Sequence, residues 1–471
     1  MNAAALATPG IVKEIRALLP LFAVSVAAVT LSLAAGKGTP LSLFVYGCSA
    51  LALGAQSIGQ EFSFRTLPLL LSQPIDRRRL YWIKAAVLVP MLVTLGVLAT
   101  FDFVNQVESE PTTVLLVFAV PILGGLMLAP WLTMICRSPL AGVVFSFGLP
   151  ASLFTLTMWI VPGPGLQMRV WFALLVALCA FAGVLGWQRF MRLEAIDGTG
   201  AAVQFPWPLA RTPRPGHPLR MLLLKELRLQ QLTFALAAFF IVVWLAIAVQ
   251  QGLARGSALV VLDILTPLYL ALLTVLIGAL ASAEERQYGT LEAQLLLPVA
   301  ALRQWMVKVT VVFGLAILLA VALPAILGLV AEAITGRRES FRLEVALAVV
   351  LLTAGSLYVS SVSSSGLRAA VVSLAVLPLA LAIYVVVMQQ LASALEALWP
   401  DSLRLGWLHR RLEWIPTLTV EAALVALLVR FAFVNHRSAE PPSERILRQL
   451  AILVSVLCGG SVLMVIAILA L

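Results

Sequence analysis

One polar segment occurs twice in this chain, each time directly after a long apolar run. The first copy reads Gln60-Glu61-Phe62-Ser63-Phe64-Arg65-Thr66-Leu67 and continues through Pro74 and Arg79 to Lys84. The second copy reads Glu284-Glu285-Arg286-Gln287-Tyr288-Gly289-Thr290-Leu291 and continues through Pro298 and Arg303 to Lys308. A gapless offset of 224 positions aligns Glu, Thr, Leu, Pro, Arg and Lys in the two copies. This self-similarity indicates an internal duplication.

The sequence around these segments is typical of a membrane protein. Of the 471 residues, 61% are hydrophobic and 11% are charged, whereas soluble domains are about 45–50% apolar and about a quarter charged. Many apolar runs approach the ~20 residues with which a helix crosses the hydrocarbon layer, and they are too continuous for a membrane β-barrel. We therefore predict an all-α polytopic membrane protein. Its spans are expected near 17–36, 41–60, 85–102, 113–135, 140–162, 169–188, 231–250, 260–282, 308–330, 343–363, 369–391, 417–434 and 449–471.

The duplication predicts how these 13 spans are organised. Each half holds six spans, an even number, so the two six-helix repeats should be parallel in the membrane. The predicted domains are a first half (1–193), a cytoplasmic Pro/Gly-rich linker (194–219), a second half (220–438), and a basic tail with one extra C-terminal transmembrane helix (439–471).

The distribution of charge predicts the orientation. With a cytoplasmic N-terminus, most of the 32 Lys and Arg residues fall in cytoplasmic segments, as the positive-inside rule requires. The net charge of +10 is then a consequence of topology and does not indicate a nucleic-acid partner. We expect a multi-pass protein of a bacterial inner membrane with its C-terminus outside. The four cysteines and three histidines are scattered, so neither a disulfide framework nor a metal site is expected.

The repeated segment has the pattern of a short amphipathic helix at the cytoplasmic surface. Thr66 and Thr290 are suited to cap its first turn, and Pro74 and Pro298 are suited to end it. Leucines at helical spacing form its apolar stripe. In the first copy, Asp76 is expected to cap the helix that follows. Such a helix can simply lie on lipid headgroups, but two equivalent copies favour two sockets for a symmetric partner.

The pattern of Glu, Gly-Thr-Leu, a leucine-rich turn, Pro and basic residues after a second span resembles the ABC-2-type transporter permease family. The segments Lys13-Glu14-Ile15-Arg16 and Lys225-Glu226-Leu227-Arg228, before the first span of each half, resemble the connecting helix of that family. The resemblance covers roughly residues 9–192 and 220–437. This chain departs from the pattern at Arg65, where the second copy has the more typical Gly289, at Pro68, and in its extra last span.

The resemblance implies the transmembrane permease subunit of an ATP-binding cassette exporter. Segments 61–73 and 285–297 would be coupling helices seated in two cytosolic ABC ATPase subunits, expected to be two copies of one chain. The residues implied at these contacts are Glu61, Arg65, Thr66, Leu67, Leu70, Glu285, Arg286, Gly289, Thr290, Leu291 and Glu292. Those of the connecting helices are Lys13, Glu14, Arg16, Lys225, Glu226 and Arg228. The sequence has no G-x-x-x-x-G-K-[ST] phosphate loop, so ATP and Mg are expected in the partner and no catalysis in this chain.

Two other functions remain open at this stage. A six-plus-six secondary transporter also has a loop after its second span, but it is expected to carry ionisable residues inside the membrane, and few are evident here. Its loop is also usually shorter than the segment from Glu61 to Lys84. The third possibility is a non-transporting membrane scaffold or a lipid-modifying enzyme, and the scarcity of polar clusters disfavours the enzyme. The sequence does not indicate a substrate.

Overall fold

The computed structural model describes residues 3–35, 40–106, 118–161, 163–194, 218–254, 259–287, 289–291, 299–335, 343–377, 380, 414–438 and 442–470. Within these ranges the chain is helical, without a strand. Eleven of the described helices are long and apolar enough to cross a membrane. The described residues therefore confirm an all-helical chain, and their eleven candidate spans support the prediction of a multi-pass membrane protein.

The described helices begin at Ala3 and end at Ala470. In order, they are α1 (Ala3–Ala35), α2 (Pro40–Ser63), α3 (Leu67–Leu71), α4 (Arg77–Gln106), α5 (Ala129–Cys136), α6 (Pro139–Ile160), α7 (Pro164–Met191), α8 (Pro218–Leu229), α9 (Gln231–Ala254), α10 (Leu259–Gln287), α11 (Ala301–Leu315), α12 (Leu323–Thr335), α13 (Leu343–Val362), α14 (Gly366–Leu377), α15 (Trp414–His436) and α16 (Ser443–Ala470).

The eleven candidate spans correspond to eleven of the thirteen predicted ones. Of the predicted span 369–391, the structure describes the shorter apolar helix α14 and residue 380. The predicted last span, 449–471, falls on helix α16, which is not among the eleven. The predicted linker, 194–219, lies almost entirely outside the described residues.

Within the part of the chain that the structure describes, two helical turns of wider, π-type geometry interrupt the spans. They are Gly124–Leu128, which leads into α5, and Ala316–Ala322, which joins α11 to α12. A proline stands just after each one, Pro130 and Pro324. Because a proline lacks an N–H and its ring clashes with the carbonyl four residues earlier, a locally widened turn accommodates the chain at these points.

The chain divides into two compact units. The first comprises Met1–Met221, Leu227–Tyr269 and Leu329–Arg338, and the second comprises Leu222–Glu226, Leu270–Gly328 and Glu339–Leu471.

Within the first unit, α2 is the most buried span and packs against its neighbours through small residues. A Cβ added at Gly54 would lie 1.8 Å from the carbonyl oxygen of Gly125 in the π turn. The backbones of the two helices therefore touch, an arrangement that small residues permit between helices in a membrane.

Within the second unit, α10 makes the corresponding close contact with α13. A Cβ added at Gly278 would lie 1.8 Å from Ser356 Oγ. One turn further along, Ser360 Oγ donates to the Ala279 carbonyl (2.8 Å) and accepts from the N–H groups of Ser282 and Ala283. Serine hydroxyls thus bond one helix backbone to the next.

Candidate functional site

The first polar segment is attached to the fold by a group of four charged side chains, three of them buried, which we name the first charge cluster: Lys13, Glu14, Glu61 and Lys84. Lys84 Nζ lies 2.8 Å from Glu14 Oε1 and 3.5 Å from Glu61 Oε1. Lys13 Nζ lies 3.3 Å from the same oxygen of Glu61. Lys84 and both carboxylates are buried, while Lys13 is partly exposed.

Three helices supply this cluster. Lys13 and Glu14 are adjacent on α1, Glu61 lies in the last turn of α2, and Lys84 lies in the second turn of α4. The Lys84 ammonium also donates to the carbonyl oxygen of Ser57 (2.9 Å), one turn before Glu61. The cluster therefore joins the ends of α2 and α4 that flank the segment to helix α1.

A second charge cluster has the same composition: Lys225, Glu226, Glu285 and Lys308. Lys308 Nζ lies 2.8 Å from Glu226 Oε2 and 3.1 Å from Glu285 Oε2. Lys225 Nζ lies 2.5 Å from Glu285 Oε1. The Lys308 ammonium donates to the carbonyl oxygen of Ala281, again one turn before the glutamate.

The two clusters correspond contact by contact. Glu285, Lys308 and Ala281 follow Glu61, Lys84 and Ser57 by 224 positions, and Lys225-Glu226 follows Lys13-Glu14 by 212. Lys84 and Lys308 each lie between two carboxylates. Glu61 also pairs with Lys13, and Glu285 also pairs with Lys225.

The burial of these charges makes their pairing obligatory. Each cluster contains two lysines and two glutamates, so its formal charge is zero. Removing one partner of a buried ion pair typically costs about 3–5 kcal/mol, because the remaining charge is left in a medium of low polarity. For Glu226, which lies outside the candidate spans, burial raises the pKa of the carboxyl, and the Lys308 ammonium opposes that effect.

The chain turns sharply between α2 and α3 through a residue in the left-handed conformation. Arg65 has φ of 54°, and Gly289, its counterpart 224 positions later, has φ of 67°. A residue with a Cβ pays roughly 1–2 kcal/mol in this conformation, whereas glycine does not. The two copies therefore share the same backbone corner, and the first copy holds it with an unfavourable residue.

Thr66 does not act as the predicted helix cap. It occupies the position before α3, but its side chain makes no capping hydrogen bond. Its hydroxyl donates instead to Glu61 Oε2, so it completes the first charge cluster. The capping prediction was wrong because Thr66 has φ of −92° and ψ of 0°, a near-helical backbone, whereas a capping residue has an extended one. Thr290 Oγ1 donates to the Glu285 carbonyl oxygen (3.3 Å).

The short helix α3 is amphipathic, as predicted. Leu67 and Leu70 are buried against an apolar group that includes Phe62, Leu80 and Phe190, while Leu69 on the opposite face is 68% exposed. Pro68 sits in the first turn of α3, where its missing N–H has no intrahelical partner to lose.

Other predicted residues can be placed individually. Asp76 caps α4, since its Oδ1 accepts from the Arg78 N–H (3.2 Å), which confirms that prediction.

The predicted coupling segments 61–73 and 285–297 begin inside α2 and α10, so Glu61 and Glu285 belong to those helices. Arg286 donates to the carbonyl oxygens of Asn435 (2.9 Å) and Ser438 (3.2 Å).

The second polar segment is described less fully than the first. Leu291 is buried and Thr290 and Gly289 are exposed, while Glu292 lies outside the described residues. In the connecting segments, Arg16 and Arg228 are exposed.

The connecting segments differ in their helices. Lys13–Arg16 lies within the continuous helix α1, whereas Lys225–Arg228 lies on the separate helix α8, which ends before α9 begins.

An aromatic contact also recurs beside each cluster. The Tyr81 ring packs against Phe190 of α7 with centroids 5.4 Å apart. Trp305, 224 positions after Tyr81, packs against Phe433 of α15 at 5.8 Å and against the His436 ring at 5.3 Å. His436 Nδ1 lies 2.8 Å from Ser282 Oγ.

Sequence reasoning missed the role of Lys84 and Lys308. In the sequence they only mark the ends of the two repeated segments, whereas the structure places both in buried ion pairs with the Lys-Glu segments. The signal was present in the sequence, since each half of the chain supplies a Lys-Glu pair before its first span and a glutamate and a lysine in its polar segment.

Among the described residues, no group of three or more His, Cys, Asp or Glu side chains is arranged to hold a metal ion. Comparison with protein-family models, with curated proteins and with solved structures found no match to this chain.

Proposed function

We propose that this chain is the membrane-spanning subunit of an ATP-driven exporter of the ABC-2 permease type, with ATP hydrolysed by two separate cytosolic subunits. The observation that carries the proposal is the pair of matching charge clusters, because each one attaches a segment predicted to contact an ATPase to two neighbouring helices. The proposal includes two parallel six-span repeats, in a bacterial inner membrane, with the N-terminus in the cytoplasm.

The geometry of the first cluster suits the transmission of force. Helix α3 is attached to α2 by the left-handed corner at Arg65 and seated by Leu67 and Leu70. The end of α2 is in turn ion-paired to α1 and α4. A partner that displaces α3 would therefore displace three spanning helices together, because buried ion pairs do not separate without a large cost.

The two subunits that bind ATP and Mg would come from another polypeptide. The exposed side of α3, marked by Leu69, is the described surface best suited to such a partner, since its opposite side is already buried. The second segment would present the corresponding surface after Gly289.

A six-plus-six secondary transporter is the second candidate. It is favoured by one observation, the burial of Glu14, Glu61 and Glu285 within candidate spans, because ionisable groups in membrane segments often carry protons or ions. The lysines oppose this function, since they match the carboxylates in number and leave each cluster formally neutral.

The test compares two exposed leucines. Leu69→Asp places a charge on the free face of α3, and Leu447→Asp makes the same change on α16, where the leucine is 66% exposed. The full chain is purified from native membranes with each change, and the bound phosphate-loop ATPase and its hydrolysis rate are measured. We expect Leu69→Asp to reduce ATPase binding at least tenfold and Leu447→Asp to leave it unchanged.

Failure of a phosphate-loop ATPase to co-purify with the unaltered chain would refute the exporter function. Equal ATPase binding by both variants would refute the assignment of α3 as the contact. Proton flux into liposomes that contain this chain alone would support the secondary transporter.

A further inference from the structure

The membrane face at which α4 begins and α7 ends carries a basic patch. Arg77 Nη1 donates to the carbonyl oxygen of Met191 (2.6 Å), so the first turn of α4 and the last turn of α7 lie side by side. Arg78 and Arg192 are the chain neighbours of these two residues, and both are exposed. Arg189, in the last turn of α7, is exposed as well.

Three aromatic rings lie next to these arginines. The rings of Tyr81 and Trp187 meet edge to face with centroids 4.9 Å apart, and Trp82 and Trp187 are 6.0 Å apart. Trp82 is 64% exposed. Because Trp and Tyr favour the headgroup level of a bilayer, these rings place the arginines at the depth of lipid phosphates. We name the arginines and rings together the α4–α7 patch.

We propose that the α4–α7 patch binds the headgroup of an anionic phospholipid. Residues 76–79 and 189–194 contain five arginines and two acidic residues, an excess of positive charge at a point where acyl chains can lie along the apolar surfaces of α4 and α7. Basic pockets between spanning helices recognise anionic headgroups in this way, and the guanidinium group is well matched to phosphate oxygens.

The duplicated segment provides an internal comparison. At the positions that match Arg77, Arg78 and Trp82, the second copy has Ala301, Leu302 and Met306. The second copy keeps the charge cluster, an arginine at the Arg79 position and an aromatic ring at the Tyr81 position, but it has no counterpart of Arg77, Arg78 or Trp82. The patch is therefore separable from the duplicated framework, and its proposed role does not rest on the exporter function.

Lipid binding by the purified full chain tests the proposal. Binding of phosphatidylglycerol and of phosphatidylcholine is measured by native mass spectrometry from detergent, for the unaltered chain and for Arg78→Gln/Arg192→Gln. The control is Arg303→Gln/Arg448→Gln, which removes the same charge from two exposed arginines of the second unit. At about fivefold in affinity for each basic residue near an anionic headgroup, we expect the patch variant to bind phosphatidylglycerol roughly 25-fold more weakly.

The control variant is expected to bind phosphatidylglycerol as the unaltered chain does, and phosphatidylcholine binding should change little in either variant. Equal binding of the two lipids by the unaltered chain, or equal losses in the patch and control variants, would overturn the proposal. Displacement of phosphatidylglycerol by millimolar inorganic phosphate would also overturn it, since the site would then recognise a free anion.

Discussion

Replacing Lys308 by methionine tests whether the second charge cluster holds its three helices together. The Lys308 ammonium lies 2.8 Å from one carboxylate and 3.1 Å from another. At an effective dielectric constant of about 20, one pair at the shorter distance corresponds to about 6 kcal/mol of attraction. Desolvation offsets much of that attraction, and loss of one buried partner costs roughly 3–5 kcal/mol in practice. We expect Lys308→Met to destabilise the chain by an amount in that range.

Two further variants identify the cause of the destabilisation. Lys225→Met removes a lysine that is one-third exposed, and Glu285 keeps Lys308 as its partner, so its effect should be below about 1 kcal/mol. Lys308→Met/Glu226→Gln removes the stranded carboxylate and leaves the pair of Lys225 and Glu285. This double variant should recover at least half of the lost stability.

The assay is thermal unfolding of the full chain in detergent, followed by the loss of helical circular dichroism. The expected order of midpoints is unaltered chain, Lys225→Met, the double variant, and Lys308→Met lowest. Equal midpoints for Lys308→Met and Lys225→Met would show that the buried ion pairs of Lys308 stabilise the fold no more than the partly exposed ion pair of Lys225. A double variant less stable than Lys308→Met would refute the argument from a stranded charge.

The remaining predictions concern backbone contacts and a buried amide pair. Gly54→Ala should cost about 1–3 kcal/mol through overpacking, whereas Gly47→Ala on the same helix meets no atom within 4 Å and should be neutral; melting midpoints compare the two. Gly289→Ala should cost about 1 kcal/mol because of its positive φ, and an unchanged midpoint would contradict the left-handed corner. Asn435→Leu should cost about 1–3 kcal/mol by removing two hydrogen bonds of the buried Gln449 amide, whose Nε2 loses its acceptor while its Oε1 keeps the bond from the Tyr358 hydroxyl. The added change Gln449→Leu should restore part of that loss, and a further drop would argue against the pairing.

Much of the architecture follows from local sequence. The apolar runs determine the helices, because a chain in hydrocarbon must satisfy its backbone hydrogen bonds internally. The polar segment after α2 also follows from local rules, since Asp76 caps α4 and the leucine spacing gives α3 a buried side. The role of Thr66 did not follow from local rules, because its hydroxyl donates to Glu61 and its backbone is near-helical where a cap needs an extended one.

The sequence by itself determined that the chain is a helical membrane protein and that two of its polar segments are alike. Only the tertiary structure decided what those segments do inside the fold. Lys84 and Glu14 are 70 positions apart, and Lys308 and Glu226 are 82 apart, so no local pattern pairs them. Their pairing depends on which helix ends become neighbours, and burial then makes that pairing necessary, because an isolated charge in a medium of low polarity is too costly to leave without a partner.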